Sequence, residues 1–580
     1  MRTILLLFVY CLLTISGFSQ KKPLDASVYD GWQSVGERLL SPDGKWLVYI
    51  VVPQEGDTRL FIRGVESNYA KEIPRGVNAS ITADSRFLVF QIRPLFKDLR
   101  EARIKKRTPD QSPKDTLAWI ELGHDSLTRI PRVKSYKIAE KAGDWLACLM
   151  DKPDSGRAGG NGGKPADSLT RIRQLLARAD SLSRVADSIR LKVAEIGTRG
   201  FAALPPVKPR PSAGETIEEG TPLVLINLQT REEKRFSLAS EYYFSKQGNV
   251  FVLETTRRNA DSNSRAMVLW VTTASGKVDT VLKGFHDACN YALDESGSQL
   301  AFAAERDSVA KALRKFYHLW YYRPGQDTAV KLPDGVAAKA NLTISPDYAN
   351  HFSRDGGRLF AGFAPIRPPK DTTLVDFETA RLDVWNYKDD YLSPQQLVQL
   401  KDELKRSYLA VYSPGPSPHE LVPTLLADED CETIALPHDG IGPYALGLSS
   451  KGYRIQQQWE ESNLRKIYLV DLKTGGRRLV QDRVRGNATL SPGGQYISWY
   501  DWKKRSWFTY RVEDGSVHNI TAGIRVPLYD EEDDHPDDPP PHGVMGWQEG
   551  DRSVYIYDRY DIWKCDPGGS AAPVNITKGV

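Results

Sequence analysis

Cysteine is scarce in this 580-residue chain: five in all, one of them (Cys11) inside an N-terminal apolar run. Cys148, Cys289, Cys431 and Cys565 form no CxxC and no short-range pair, so buried free thiols are expected rather than a disulfide framework. Charge of one sign is also lacking. Lys and Arg number 78 against 74 Asp and Glu, a net +4, and no basic stripe carries interleaved aromatics, so nucleic acid is not an implied partner. Beyond the N-terminus no stretch is apolar enough to span a membrane. The nine His are scattered, none in H-E-x-x-H or another paired-ligand spacing, and there is no P-loop or Rossmann fingerprint. No cofactor and no metal site is expected.

What the chain has is a repeat. Ser41-Pro-Asp-Gly-Lys-Trp-Leu-Val-Tyr49 is rewritten as Thr82–Phe90, Leu293–Phe302, Phe352–Phe360, Leu490–Ser498 and Trp547–Tyr555, with weaker copies at Glu140–Leu149, Phe244–Leu253 and Leu448–Ile455. Each copy is a polar turn with Gly, Asp or Ser, then an apolar strand, then a return strand. One hairpin cannot bury its apolar face alone, whereas units stacked in series share a core. An all-β fold of the β-propeller class is therefore expected over residues 20–580, with eight blades, or seven as the alternative count. Trp32 is expected to pack the lead-in to the first unit.

Two segments break the repeat. At the N-terminus, Arg2, the apolar run Ile4–Ile15 and the small residues Ser16-Gly17-Phe18-Ser19 read as a signal peptide, 1–19, and export to the periplasm or beyond is expected. Residues 151–221 read as an insertion. Within it, Leu169, Ile172, Leu175, Leu176, Ala179, Leu182, Val185, Ile189, Val193 and Ile196 recur at mostly three- and four-residue steps, an amphipathic helix over 167–196. A shorter helix is expected within Tyr391–Lys405. The basic run Lys97–Lys114 and the acidic run Tyr529–Pro539 read as solvated loops, although clustered carboxylates in a loop are also the donor type for Ca²⁺.

Several stretches resemble the N-terminal propeller of exported bacterial serine peptidases of family S9, the prolyl oligopeptidase and dipeptidyl-peptidase IV type. They are Tyr29-Asp-Gly-Trp32, Ser41-Pro-Asp-Gly-Lys-Trp46, Ile73–Ser85, Arg132-Val-Lys-Ser-Tyr136, Tyr453-Arg-Ile-Gln456 with Trp459-Glu-Glu461, and Tyr557-Asp-Arg-Tyr-Asp-Ile-Trp-Lys564. The resemblance implies a substrate-gating propeller for short peptides, with catalysis in an α/β-hydrolase domain. That domain carries its nucleophile in G-x-S-x-G, followed by Asp and His. The nearest approaches here, Gly415-Pro-Ser417 and Gly447-Leu-Ser449, lack the second Gly, so no catalytic residue is assigned and the sequence alone is expected to be inactive. The resemblance also implies paired glutamates that hold the substrate's amino terminus, because an ammonium needs opposite charge and acceptors. Glu232-Glu233 and Glu460-Glu461 are the candidate pairs among the strands. Peptides reached through a separate hydrolase domain are the expected partners, a homo-oligomer is left open, and a stand-alone TolB-like binding propeller is the alternative function.

Overall fold

The computed structural model describes residues 29, 31–152, 216–307, 312–335, 340–369, 371, 373, 382, 384–413, 421–437, 440–460 and 463–579. The signal peptide, the 167–196 helix and Glu461 lie outside them. The chain has the β-propeller fold: four-stranded antiparallel meanders in series. Among the described residues the strands pair into eight sheets, spanning 33–74, 76–131, 133–283, 287–331, 342–425, 433–485, 488–519 and 544–575. The sheet over 133–283 has seven strands and contains two meanders that share the long strand Glu233–Phe244. Two compact units are formed, one by the described residues of 1–136, 147–226 and 232–236, the other by those of 137–146, 227–231 and 237–580. No helix among the described residues is long and apolar enough to cross a membrane.

The repeated turn joins the first strand of a meander to the second. The N–H groups of Ser41, Thr82, Ser245, Asp294, Ser353, Ser491 and Gln548 each donate to the carbonyl five residues on, at 2.8–3.2 Å. The fourth residue of each turn (Gly44, Ser85, Gly248, Gly297, Gly356, Gly494, Asp551) has φ between 56° and 73°, which explains why Gly recurs there. In three copies the leading hydroxyl donates to an Asp two residues on: Ser41 to Asp43 at 2.5 Å, Thr82 to Asp84 at 2.6 Å, Ser353 to Asp355 at 2.5 Å. The same hydroxyls accept the N–H of Trp46, Phe87 and Arg358. Leu448–Ile455 is not a copy of this turn. Tyr444–Ser449 is already the second strand of its sheet, and 450–455 is the loop after it.

A second repeated joint is glycine in only one of the copies described. Arg75, Arg132, Leu238, Asn341 and Gly543, which precede or interrupt first strands, all have positive φ. Their carbonyls accept N–H bonds from Arg93, Asp151, Thr256, Ile366 and Tyr557 at 2.8–3.1 Å. Holding a non-Gly residue there costs on the order of 1–2 kcal/mol, which the joint's hydrogen bonds and packing offset.

Within each unit the core lies between consecutive sheets. Val48, Leu60 and Ile62 of the first pack on Leu88, Phe90 and Ala118 of the second. Val252 and Trp270 pack on Phe302 and Tyr322, Leu319 and Tyr321 on Phe363 and Tyr412, and Ile467 on Ile497. Two second strands are covered on both faces: Phe87–Ile92 and Leu300–Glu305 are buried at every position and read as continuous runs, whereas Trp46–Pro53 of the first sheet alternates. Trp32, expected to be packed, is 55% exposed; its ring meets that of Tyr29 edge-on, and its carbonyl accepts the Gln54 N–H at 2.8 Å. The helix expected within 391–405 is Ser393–Leu404, with Pro394 in its first turn. The basic run also contains a helix, Phe96–Ile104, which was not expected from its charge.

Candidate functional site

First strands carry bulges. Register shifts fall between Ala239 and Glu241 and between Cys289 and Ala292, the latter with Asn290 at φ 56°. A bulge re-aims side chains that would otherwise alternate. In the second unit these two bulges, with neighbouring second strands, gather the carboxylates Glu241, Glu254 and Asp287 among Tyr243, Tyr291 and Tyr317. Tyr291 donates to Glu254 Oε2 at 2.7 Å and Ser240 donates to Glu254 Oε1 at 2.9 Å. Tyr317 donates to Asp287 Oδ2 at 2.5 Å, and Tyr243 to Glu241 Oε2 at 3.5 Å. The Tyr291 ring stacks on Phe302 at 5.2 Å and tilts against Tyr243 at 5.2 Å.

Burial pushes the Glu254 carboxyl up to about 6; the Tyr291 and Ser240 hydrogen bonds oppose this, and the charges of Glu241 and Asp287 add to it. Cys289 lies in the same field. Burial, then the charges of Asp287, Glu254 and Asp347, push its thiol up to about 12, so it is no nucleophile near neutral pH. None of Glu241, Glu254 and Asp287 has a Lys or Arg at ion-pair distance among the described residues. One ammonium does sit nearby. Lys137 Nζ lies 4.2 Å from the Tyr243 ring centroid and 4.8 Å from that of Tyr242, and donates to the Tyr242 carbonyl at 2.7 Å. Burial lowers its pKa, and the Glu241 charge works the other way.

Tyr243 and Tyr291 also line a cleft of about 530 Å³, completed by Phe244, Leu293, His351 and Phe352. Its rim carries Glu295, which pairs with Lys141 and, at 3.9 Å, with Lys246. His351 stacks on Phe360 at 5.1 Å, and burial lowers its pKa, so the imidazole is neutral near pH 7. The cleft's serine, Ser353, is occupied by its turn, donating to Asp355 and accepting from Arg358. Lys246 and Arg354 also line the cleft, and Glu241, Glu254 and Asp287 stand beside Tyr243 and Tyr291 rather than in its lining. The carboxylate cluster with its tyrosine rings therefore offers aromatic faces and negative charge, which suit a cation, and no nucleophile is paired with a base among the described residues.

The glutamates singled out in the sequence lie elsewhere. Glu232 and Glu233 follow a tight turn in which Asn227 Oδ1 accepts from Gln229 and Thr230, each at 2.9 Å, and Glu233 pairs with Arg235 at 2.9 Å. Glu460 follows the short 3₁₀ turn Gln456–Gln458 and pairs with Arg483 at 3.7 Å. None of these three lines the cleft. Residues spread over neighbouring repeats were missed. A signal existed: Glu254 ends the apolar run Val-Phe-Val-Leu-Glu-Thr, where a carboxylate breaks the burial pattern.

The acidic run is held by arginines: Arg485 forks onto Asp537, Arg559 meets Glu532, and Arg505 donates to the Tyr529 hydroxyl at 2.9 Å. Asp533, Asp534 and His535 each bring one ligand-type atom within 4.8 Å of the others. The four cysteines Cys148, Cys289, Cys431 and Cys565 are free thiols, and Cys289 alone of them is only partly buried.

No protein-family model matches the chain, and no curated protein matches it in sequence. Among solved structures it is similar to the β-propeller domain of the trilobed protease from Pyrococcus furiosus, at 9% identity and a TM-score of 0.28, over 78% of this chain and 99% of that one. It is similar to the acylaminoacyl peptidase of Pyrococcus horikoshii at 10% identity and a TM-score of 0.29, over 85% of this chain and 60% of the peptidase. TolB from Acinetobacter baumannii aligns at 9% identity and a TM-score of 0.22, over 51% of this chain and 57% of that one. The chain thus spans less than two thirds of the peptidase it resembles.

Proposed function

We propose that this propeller binds short peptides by their ammonium end and serves as the non-catalytic, substrate-gating part of an S9-type serine peptidase, with a separate α/β-hydrolase domain supplying the nucleophile. The observation that carries the reading is the group Glu241, Glu254 and Asp287: three carboxylates without an ion-pair cation among the described residues, beside tyrosine rings that already hold the Lys137 ammonium. Opposite charge, π faces and hydroxyl acceptors are what an amino terminus needs. The Glu232-Glu233 and Glu460-Glu461 pairs, suggested by sequence adjacency, have less support, since Glu233 and Glu460 each already face an arginine. Export belongs to the same proposal and rests on Arg2 and the apolar run after it.

Purified protein should bind dipeptide amides and leave them intact. Turnover that an active-site serine reagent blocks would refute the non-catalytic half of the reading. Loss of binding on acetylating the peptide nitrogen is expected from the other half, and retention would refute it.

A further inference from the structure

The other unit has a cleft of its own, of about 470 Å³, where the last strand of the first sheet, Ala70–Pro74, passes into the second sheet. One side is apolar, made by Ile73, Pro74, Ile92 and Pro94; the other carries Arg75, Arg93, Lys114 and Arg129. The cationic side is built rather than incidental. Arg75 takes a left-handed backbone, φ 64°, and its Nη1 donates to the Arg93 carbonyl at 2.9 Å, while the Arg93 N–H donates to the Arg75 carbonyl at 3.0 Å. Lys114 is paired with Asp151 at 2.9 Å. Arg93 and Arg129 have no carboxylate at ion-pair distance among the described residues. The Asp115 carboxyl lies nearby; burial raises its pKa, and the charge of Arg93 opposes the rise.

We propose that this cleft binds a small anion with a carboxylate or phosphate head and an apolar body. The head engages the guanidinium groups of Arg93 and Arg129, whose planar forks match an oxyanion's geometry, and the body lies against Pro74 and Pro94, above the buried Ile73 and Ile92. This site shares no residue with the tyrosine cleft and does not depend on the peptide reading.

The test is calorimetric titration of the full chain at low salt with three probes: N-acetyl-leucine, N-acetyl-leucinamide and inorganic phosphate. At least one anionic probe should bind and the amide should not; which anion binds separates a carboxylate ligand from a phosphate one. The double variant Arg93→Gln/Arg129→Gln should weaken that binding roughly tenfold or more and keep the wild-type unfolding midpoint, because both side chains are exposed. Binding of neither anion, equal binding of the amide, or wild-type affinity in the double variant would each overturn the proposal.

Discussion

The turn at Ser491 offers the sharpest test of how the repeat is held together. Where other copies place Asp two residues after the leading hydroxyl, this one has Gly493. Asp551, from the turn of the next sheet, takes the role: its carboxylate accepts from Ser491 Oγ at 2.5 Å, Gly493 N at 2.9 Å and Gln495 N at 3.1 Å. Asp551 is 2% exposed with φ 56°. Asp551→Gly removes three acceptor contacts to a charged group while easing the backbone; at roughly 1–2 kcal/mol each after relaxation, we expect a loss of about 3 kcal/mol. Gly493→Asp in the wild type is also harmful, because a Cβ there would stand 2.7 Å from Asp551 Oδ2 and bring two carboxylates onto the same donors. In the Asp551→Gly background the same change restores the local Ser-x-Asp turn seen at Ser41-Pro-Asp43. Its sign therefore reverses, with a coupling of about 2 kcal/mol or more. Urea unfolding midpoints of the four proteins, together with hydrogen exchange at the Gln495 and Tyr496 amides, measure it. Additive effects of the two substitutions would refute the reasoning.

Other expectations concern the tyrosine cluster and the core. Glu254, whose folded pKa of about 6 exceeds the usual 4.5, favours folding while protonated, so its contribution is full below about pH 4.5 and is lost as pH rises through about 6. Glu254→Gln should flatten the fall in stability between pH 5 and 7, about 1 kcal/mol in size, in urea titrations at both pH values. Lys137→Met removes the resident ammonium from the Tyr243 face and should tighten binding of a peptide amine several-fold, read by calorimetry. Phe302→Ala, at a site with 0% exposure between two sheets, should cost about 3–5 kcal/mol in unfolding free energy.

The turns were legible because their backbone demands a residue type. Positive φ at Gly44 or Gly356, with a hydroxyl three residues before, leaves a mark in sequence. The joints at Arg75 and Leu238 adopt the same left-handed backbone with residues that have no preference for it, imposed by tertiary hydrogen bonds that sequence reading does not see. The helix Ser393–Leu404 falls within the stretch expected to hold one; Phe96–Ile104 was masked by its charge. The carboxylate cluster was hidden for another reason. Glu241, Glu254 and Asp287 come together only through pairing and bulges, whereas Glu232-Glu233 are neighbours in sequence alone.

The measurement that bears most directly on the proposed function is calorimetric titration with alanyl-prolinamide, which has a free amine and no carboxylate to engage the arginine cleft. We predict binding, abolished by N-acetylation and weakened about tenfold or more in Glu241→Gln/Asp287→Asn, as expected for losing charged acceptors worth about 1.5–3 kcal/mol each. Undetectable binding, or equal binding of the acetylated peptide, would contradict the account.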